Sequence, residues 1–204
     1  MATEAQKTSA HIIIHSSAIA AATWSGASAI LPGVAVVTDT AGGTIIAVAM
    51  TYALGNVFNR KLVESSIMAF FSWVIGREMG MVILKGIFSF IPIFGSLTNA
   101  TISFGLTEAI GWSLFLIFDE GKDLGALSKE EIASFLQRGK SFAEQVKKSG
   151  EFAWIDELPP HIKAQYDYLT KKLGDRNLSP EERQATLKEI EDLIAPYNPK
   201  NKGQ

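Results

Sequence analysis

Three stretches of this chain carry no Asp, Glu, Lys or Arg: 31 residues from Thr8 to Thr38, 20 from Thr40 to Asn59 and 22 from Gly86 to Thr107. A helix crosses the hydrocarbon core of a bilayer with about 20 mostly apolar residues, whereas a helix on a soluble surface needs a polar face. Of the 40 charged side chains, 12 lie in residues 1–120 and 28 in residues 121–204. The expected organisation is therefore an apolar helical, membrane-embedded domain over 1–120 and a polar helical tail over 121–204. The first run does not read as a signal peptide, because its flank mixes Glu4 with Lys7 and it leads straight into a second apolar segment. Against insertion stand the Ser, Ala and Thr residues of 16–29 and the adjacent Arg77 and Glu78, each charge costing about 2.5 kcal/mol at a helix centre.

A net charge of −2 excludes the basic surface that nucleic acid requires. The absence of cysteine excludes a disulfide framework, a thiolate zinc site and a cysteine nucleophile.

Two passages align at an offset of 60 residues. Leu31-Pro32 matches Ile91-Pro92, and Val37-Thr38-Asp39 matches Leu97-Thr98-Asn99. Each leads into an apolar stretch closing on a glycine, Gly55 in one copy and Gly111 in the other. Proline removes a backbone donor and disfavours helix in the preceding residue, so Pro32 and Gly33, with Pro92 and Gly95 in the second copy, mark the helix breaks. The reading is all-α: two apolar hairpins, with helices over 8–31 and 34–58, then 62–84 and 96–118. Asp39, Asn99 and Glu108 are the candidate intramembrane polar positions. A carboxylate there is a functional-site hypothesis, such as an ion ligand; helix capping or interhelical hydrogen bonding is the plainer alternative.

Four spanning helices would put both termini, Arg60, Lys61 and the tail on one side, which the positive-inside rule makes the cytoplasm. Gly43-x-x-x-Ala47 and Gly76-x-x-x-Gly80 have the small-residue spacing that lets helices approach in lipid, so a homo-oligomer is expected. Trp24, Trp73 and Trp112 fall one to a helix, none at an end, and read as core packing.

His11 and His15 lie at i, i+4 on one helix face, a workable spacing for two metal ligands. The position after His11 is Ile12 rather than the Glu of a zinc-protease helix, and no third ligand has supporting spacing. Imidazoles at an interface are the alternative reading. With three histidines and no G-x-S-x-G elbow, no catalytic triad can be drawn. Neither an enzyme nor a cofactor is expected.

The tail is punctuated as soluble helices. Ser128-Lys129-Glu130-Glu131 and Ser179-Pro180-Glu181-Glu182 are capping boxes, and Pro159-Pro160 opens the helix between them. Ile132, Phe135, Leu136, Phe142 and Val146 stripe the first helix, Ile162, Tyr166, Leu169 and Leu173 the second, and Leu187, Ile190, Leu193 and Ile194 the third. These stripes are expected to bury against one another or to take a partner protein.

Residues 12–118 resemble the helical domain that accompanies Era-like GTPases in bacteria. The resemblance rests on Ile13-Ile14-His15-Ser16-Ser17-Ala18, on Leu31-Pro32-Gly33 with Thr38, on Phe90-Ile91-Pro92 with Gly95, and on Thr107-Glu108-Ala109-Ile110-Gly111-Trp112. It implies membrane association beside a GTPase. No G-x-x-x-x-G-K-[ST] loop is present, so any GTPase would be a separate chain. The function expected is a non-enzymatic, self-associating membrane module that scaffolds or anchors a partner. A pore lined by the duplicated hairpins and a soluble protein-binding bundle are the rivals.

Overall fold

The computed structural model describes residues 1–27, 35–75, 99–175 and 177–199, without the side chains of 25–27, 35–43, 75, 99 and 102. Among these residues the chain is all-helical: α1 (Glu4–Ala27), α2 (Ala35–Val57), α3 (Glu64–Ile75), α4 (Asn99–Asp119), α5 (Lys129–Ser149), α6 (Pro160–Leu173) and α7 (Pro180–Ile194). Short 3₁₀ turns follow α4, α5 and α7. Gly76, Gly80, Pro32, Gly33, Pro92 and Gly95 lie outside the described residues.

Both capping boxes form, the side chains of Ser128 and Ser179 accepting from the backbone of Glu131 and Glu182. Gly150 closes α5 in the left-handed conformation at φ 63°, which glycine adopts without the Cβ clash. The two apolar copies end alike. Asn59, at φ 53°, lets Arg60 N–H reach back to Gly55 O at 2.8 Å, and Gly121, at φ 74°, lets Lys122 N–H reach Ile117 O at 3.0 Å. The Arg60 guanidinium then donates to Phe118 O, joining the two helix ends.

The glycines expected to close the apolar stretches do something else. Helix α2 runs past Gly55 to Val57, and α4 runs past Gly111 to Asp119. Gly111 is where α1 crosses α4: a Cβ there would stand 2.7 Å from Ile14. Gly139 of α5 plays the same part against α4, beside Ser113 and Ala109. Ala47, half of an expected oligomer motif, is buried inside the bundle.

One hydrophobic cluster runs from α1 to α7, so the change of composition at residue 120 is not a packing boundary. The tail stripes bury, as periodicity requires, with Ile162, Tyr166, Leu169, Leu173, Leu187, Ile190 and Ile194 all inside. Their cover includes the apolar helices themselves, α6 lying on α1 and α7 on α2. Polar contacts fix this docking: Lys7 to Glu151 at 2.8 Å, Ser9 donating to Glu191 at 2.5 Å, and Ser16 to Tyr166 at 3.4 Å. Trp112 is fully buried, while Trp24 and Trp73 are half-buried.

No helix among the described residues is long and apolar enough to cross a membrane. The four-span arrangement therefore does not follow from α1 to α4. The physical reason is visible in α1, which begins with Glu4 and Lys7 and meets polar partners from the tail.

Candidate functional site

Asp39 lies in α2 and Asn99 in α4, and the side chains of both lie outside the described residues. Glu108 lies in the middle of α4 and faces α1.

There the sequence builds a polar cluster inside an apolar wall. Helical spacing puts His11 and His15 on one face of α1, and the same spacing stacks Glu108 under Trp112 on α4. The Trp112 indole N–H donates to Glu108 Oε2 at 3.0 Å within α4. Across the interface, His15 Nδ1 lies 2.9 Å from Glu108 Oε1. An ionised carboxylate can only accept, so His15 Nδ1 donates this hydrogen bond. Both oxygens of Glu108 are thus engaged, and the buried carboxylate is satisfied as burial demands.

His11 completes the wall. Its ring lies parallel to Phe152 with centroids 3.7 Å apart, and parallel to His15 at 5.4 Å. The His11 Nδ1 is buried without a hydrogen-bond partner. Burial, reinforced by the charges of His15 and Lys7, holds its pKa well below the ordinary imidazole value, so the ring is neutral. Stacked rings direct their nitrogens along parallel planes rather than toward a shared point. Among the described residues no group of three or more potential ligands is placed to hold a metal ion.

This cluster forms one side of a cavity of about 620 Å³ between α1, α4, α5 and the 3₁₀ turn after α5. Its walls are apolar, with Phe104, Ala143, Val146, Phe152 and Ile155 prominent, and Lys147, Lys148, Glu144 and Asp156 add charge. The volume falls within the range of about 300–1,000 Å³ typical of small-molecule sites. The lining contains no Ser, Thr, Cys or Tyr among the described residues. An oriented imidazole here can accept a hydrogen bond or take up a proton, and the lining offers no hydroxyl or thiol for nucleophilic catalysis beside it.

The sequence singles out the His11–His15 pair and, separately, Glu108. The contacts that join His15 to Glu108 and His11 to Phe152 span 93 residues and more, for which one sequence carries no signal. The fold and site together define a helical bundle with an apolar, imidazole-walled cavity. No protein-family model matches the chain, and none of the curated proteins or solved structures compared with it is similar.

Proposed function

We propose that the chain is a non-enzymatic, self-associating membrane module that anchors a partner protein, with a separate GTPase as the partner its motifs suggest. In this reading the membrane contact is made by α3 and the segment after it, not by four spanning helices. The observation that carries it is the two-faced character of α3. Ile67, Phe70, Phe71 and Val74 point inward at helical spacing, while the outer side presents Met68, 44% exposed, below Val63, 62% exposed. Exposed Arg60 and Lys61 flank them. Apolar side chains bordered by basic ones are the composition of a surface that lies in a bilayer interface. In sequence α3 leads toward the uncharged run of residues 86–107. The tail would then lie on the cytoplasmic side.

A partner would meet the charged outer faces of α5 to α7, since their apolar stripes are already covered by the chain itself. The pore reading draws no support from Glu108, whose two oxygens are both taken by His15 and Trp112.

Co-sedimentation with vesicles of mixed phosphatidylcholine and phosphatidylglycerol tests the reading. The wild-type chain should pellet with vesicles, and a Val63→Asp, Met68→Asp double variant should stay in the supernatant with unchanged melting temperature. Equal partitioning of the two would overturn the role of α3.

A further inference from the structure

The cavity beside His15 is a site that the anchoring role does not use. Its wall holds seven ionisable side chains: His11, His15, Lys147 and Lys148 on the basic side, and Glu108, Glu144 and Asp156 on the acidic side. The His15 and Trp112 donors already engage both oxygens of Glu108. The neutral His11 ring adds no charge, and Lys147 and Lys148 are matched in number by Glu144 and Asp156, which leaves the His15 ring to meet a polar head group. The rest of the lining is largely hydrocarbon and aromatic ring.

One nitrogen in that wall is oriented and unused. Glu108 fixes the His15 ring through Nδ1, and among the described residues no hydrogen bond is made to Nε2. A ligand with a long apolar body and a single carboxyl head would satisfy both features. The body replaces water against Phe104, Val146, Phe152 and Ile155, and the head meets Nε2. We propose that this cavity binds an aliphatic monocarboxylate, its carboxyl group sharing one proton with His15 Nε2 and its chain lying between α4, α5 and Phe152. The proton balance is closed: Nε2 accepts it from the carboxylic acid, or holds it and donates to the carboxylate. Glu108 keeps the Nδ1 proton in both arrangements.

Titration of the full chain with saturated carboxylates below their micelle concentrations, followed by calorimetry, tests this. Affinity should rise from octanoate to dodecanoate by about four-fold for each methylene buried. Dodecanol should bind at least ten-fold more weakly than dodecanoate, and dodecyltrimethylammonium should not bind. Ala153→Trp places a large ring on the cavity wall from an exposed position, and should abolish dodecanoate binding without changing the melting temperature. His15→Gln should remove the preference for dodecanoate over dodecanol. No binding of dodecanoate, equal binding of the three head groups, or undiminished binding to Ala153→Trp would each overturn the proposal.

Discussion

His15 and Glu108 stand 93 residues apart in the chain and 2.9 Å apart in space, joined across the α1–α4 interface. Trp112 closes the same carboxylate from the other side at 3.0 Å. This small network is a polar bridge in an interface that also brings Ile14 against Gly111.

Replacing Glu108 by leucine leaves the fully buried Trp112 indole N–H without an acceptor. A stranded buried donor costs about 1–3 kcal/mol. Urea unfolding should show a loss of that size for Glu108→Leu and a smaller one for Glu108→Gln, which keeps one acceptor. An unchanged midpoint for Glu108→Leu would mean the network contributes nothing net.

His11 is neutral in the folded chain because its pKa is pushed down, mainly by burial, with His15 and Lys7 adding to it. Unfolding restores the ordinary value near 6.5. Below that pH the unfolded chain binds a proton that the folded chain refuses, so stability rises with pH across this window and falls as the pH drops. The slope from this one group approaches about 1.4 kcal/mol per pH unit. His11→Phe keeps the stack on Phe152 and removes the titration. Melting temperatures measured between pH 5 and pH 7.5 should fall less steeply toward acid in His11→Phe than in wild type, and the two curves should run parallel above pH 7.

Gly139 and Gly150 are required for different reasons. A Cβ at Gly139 would stand 2.8 Å from Ala109 O and 2.5 Å from Ser113 N, both rigid backbone of α4. At Gly150 nothing lies within 4 Å, but φ is +63°. Gly139→Ala should destabilise by about 1–3 kcal/mol through overpacking and shift the fluorescence of Trp112, one residue from Ser113. Gly150→Ala should cost about 1–2 kcal/mol of backbone strain and leave that fluorescence unchanged.

Arg183 is completely buried in α7, its guanidinium donating to the carbonyls of Leu173 and Asp175 and lying 5.8 Å from the Trp24 ring. It therefore caps the last turn of α6, whose carbonyls have no partners of their own within the helix. Arg183→Met preserves the buried stem and removes the donors. It should lower stability by about 1–3 kcal/mol, with the largest loss of hydrogen-exchange protection near the end of α6.

The elements most legible in the sequence are those whose determinants are local. Capping boxes at Ser128 and Ser179, Pro160 at a helix start, and the stripes of α5 to α7 each need only a few neighbouring residues, and the structure forms all of them. Apolar helices also form at Glu4–Ala27, Ala35–Val57 and Asn99–Asp119, while the helix expected over 62–84 is described only as far as residue 75. What those helices bury against is a long-range question that one sequence does not answer: Tyr166 meets Ser16 of α1, and one core spans residue 120. Arg183 shows the same limit, since a charged side chain in a polar helix reads as solvent-facing until Leu173 and Asp175 are seen beside it. At the site, His15 and Glu108 were each visible as unusual residues in apolar surroundings, but only the fold pairs them. The expectation for Asp39 and Asn99 concerns side chains outside the described residues.

Attachment to a bilayer is tested by washing isolated membranes with alkaline carbonate, then with detergent. The chain should stay in the pellet through carbonate and be released by detergent, and the Val63→Asp, Met68→Asp variant should be retained less. Recovery of the wild-type chain in the soluble fraction before any wash would contradict it, and would make the bundle with its imidazole-walled cavity a binding protein free of the membrane.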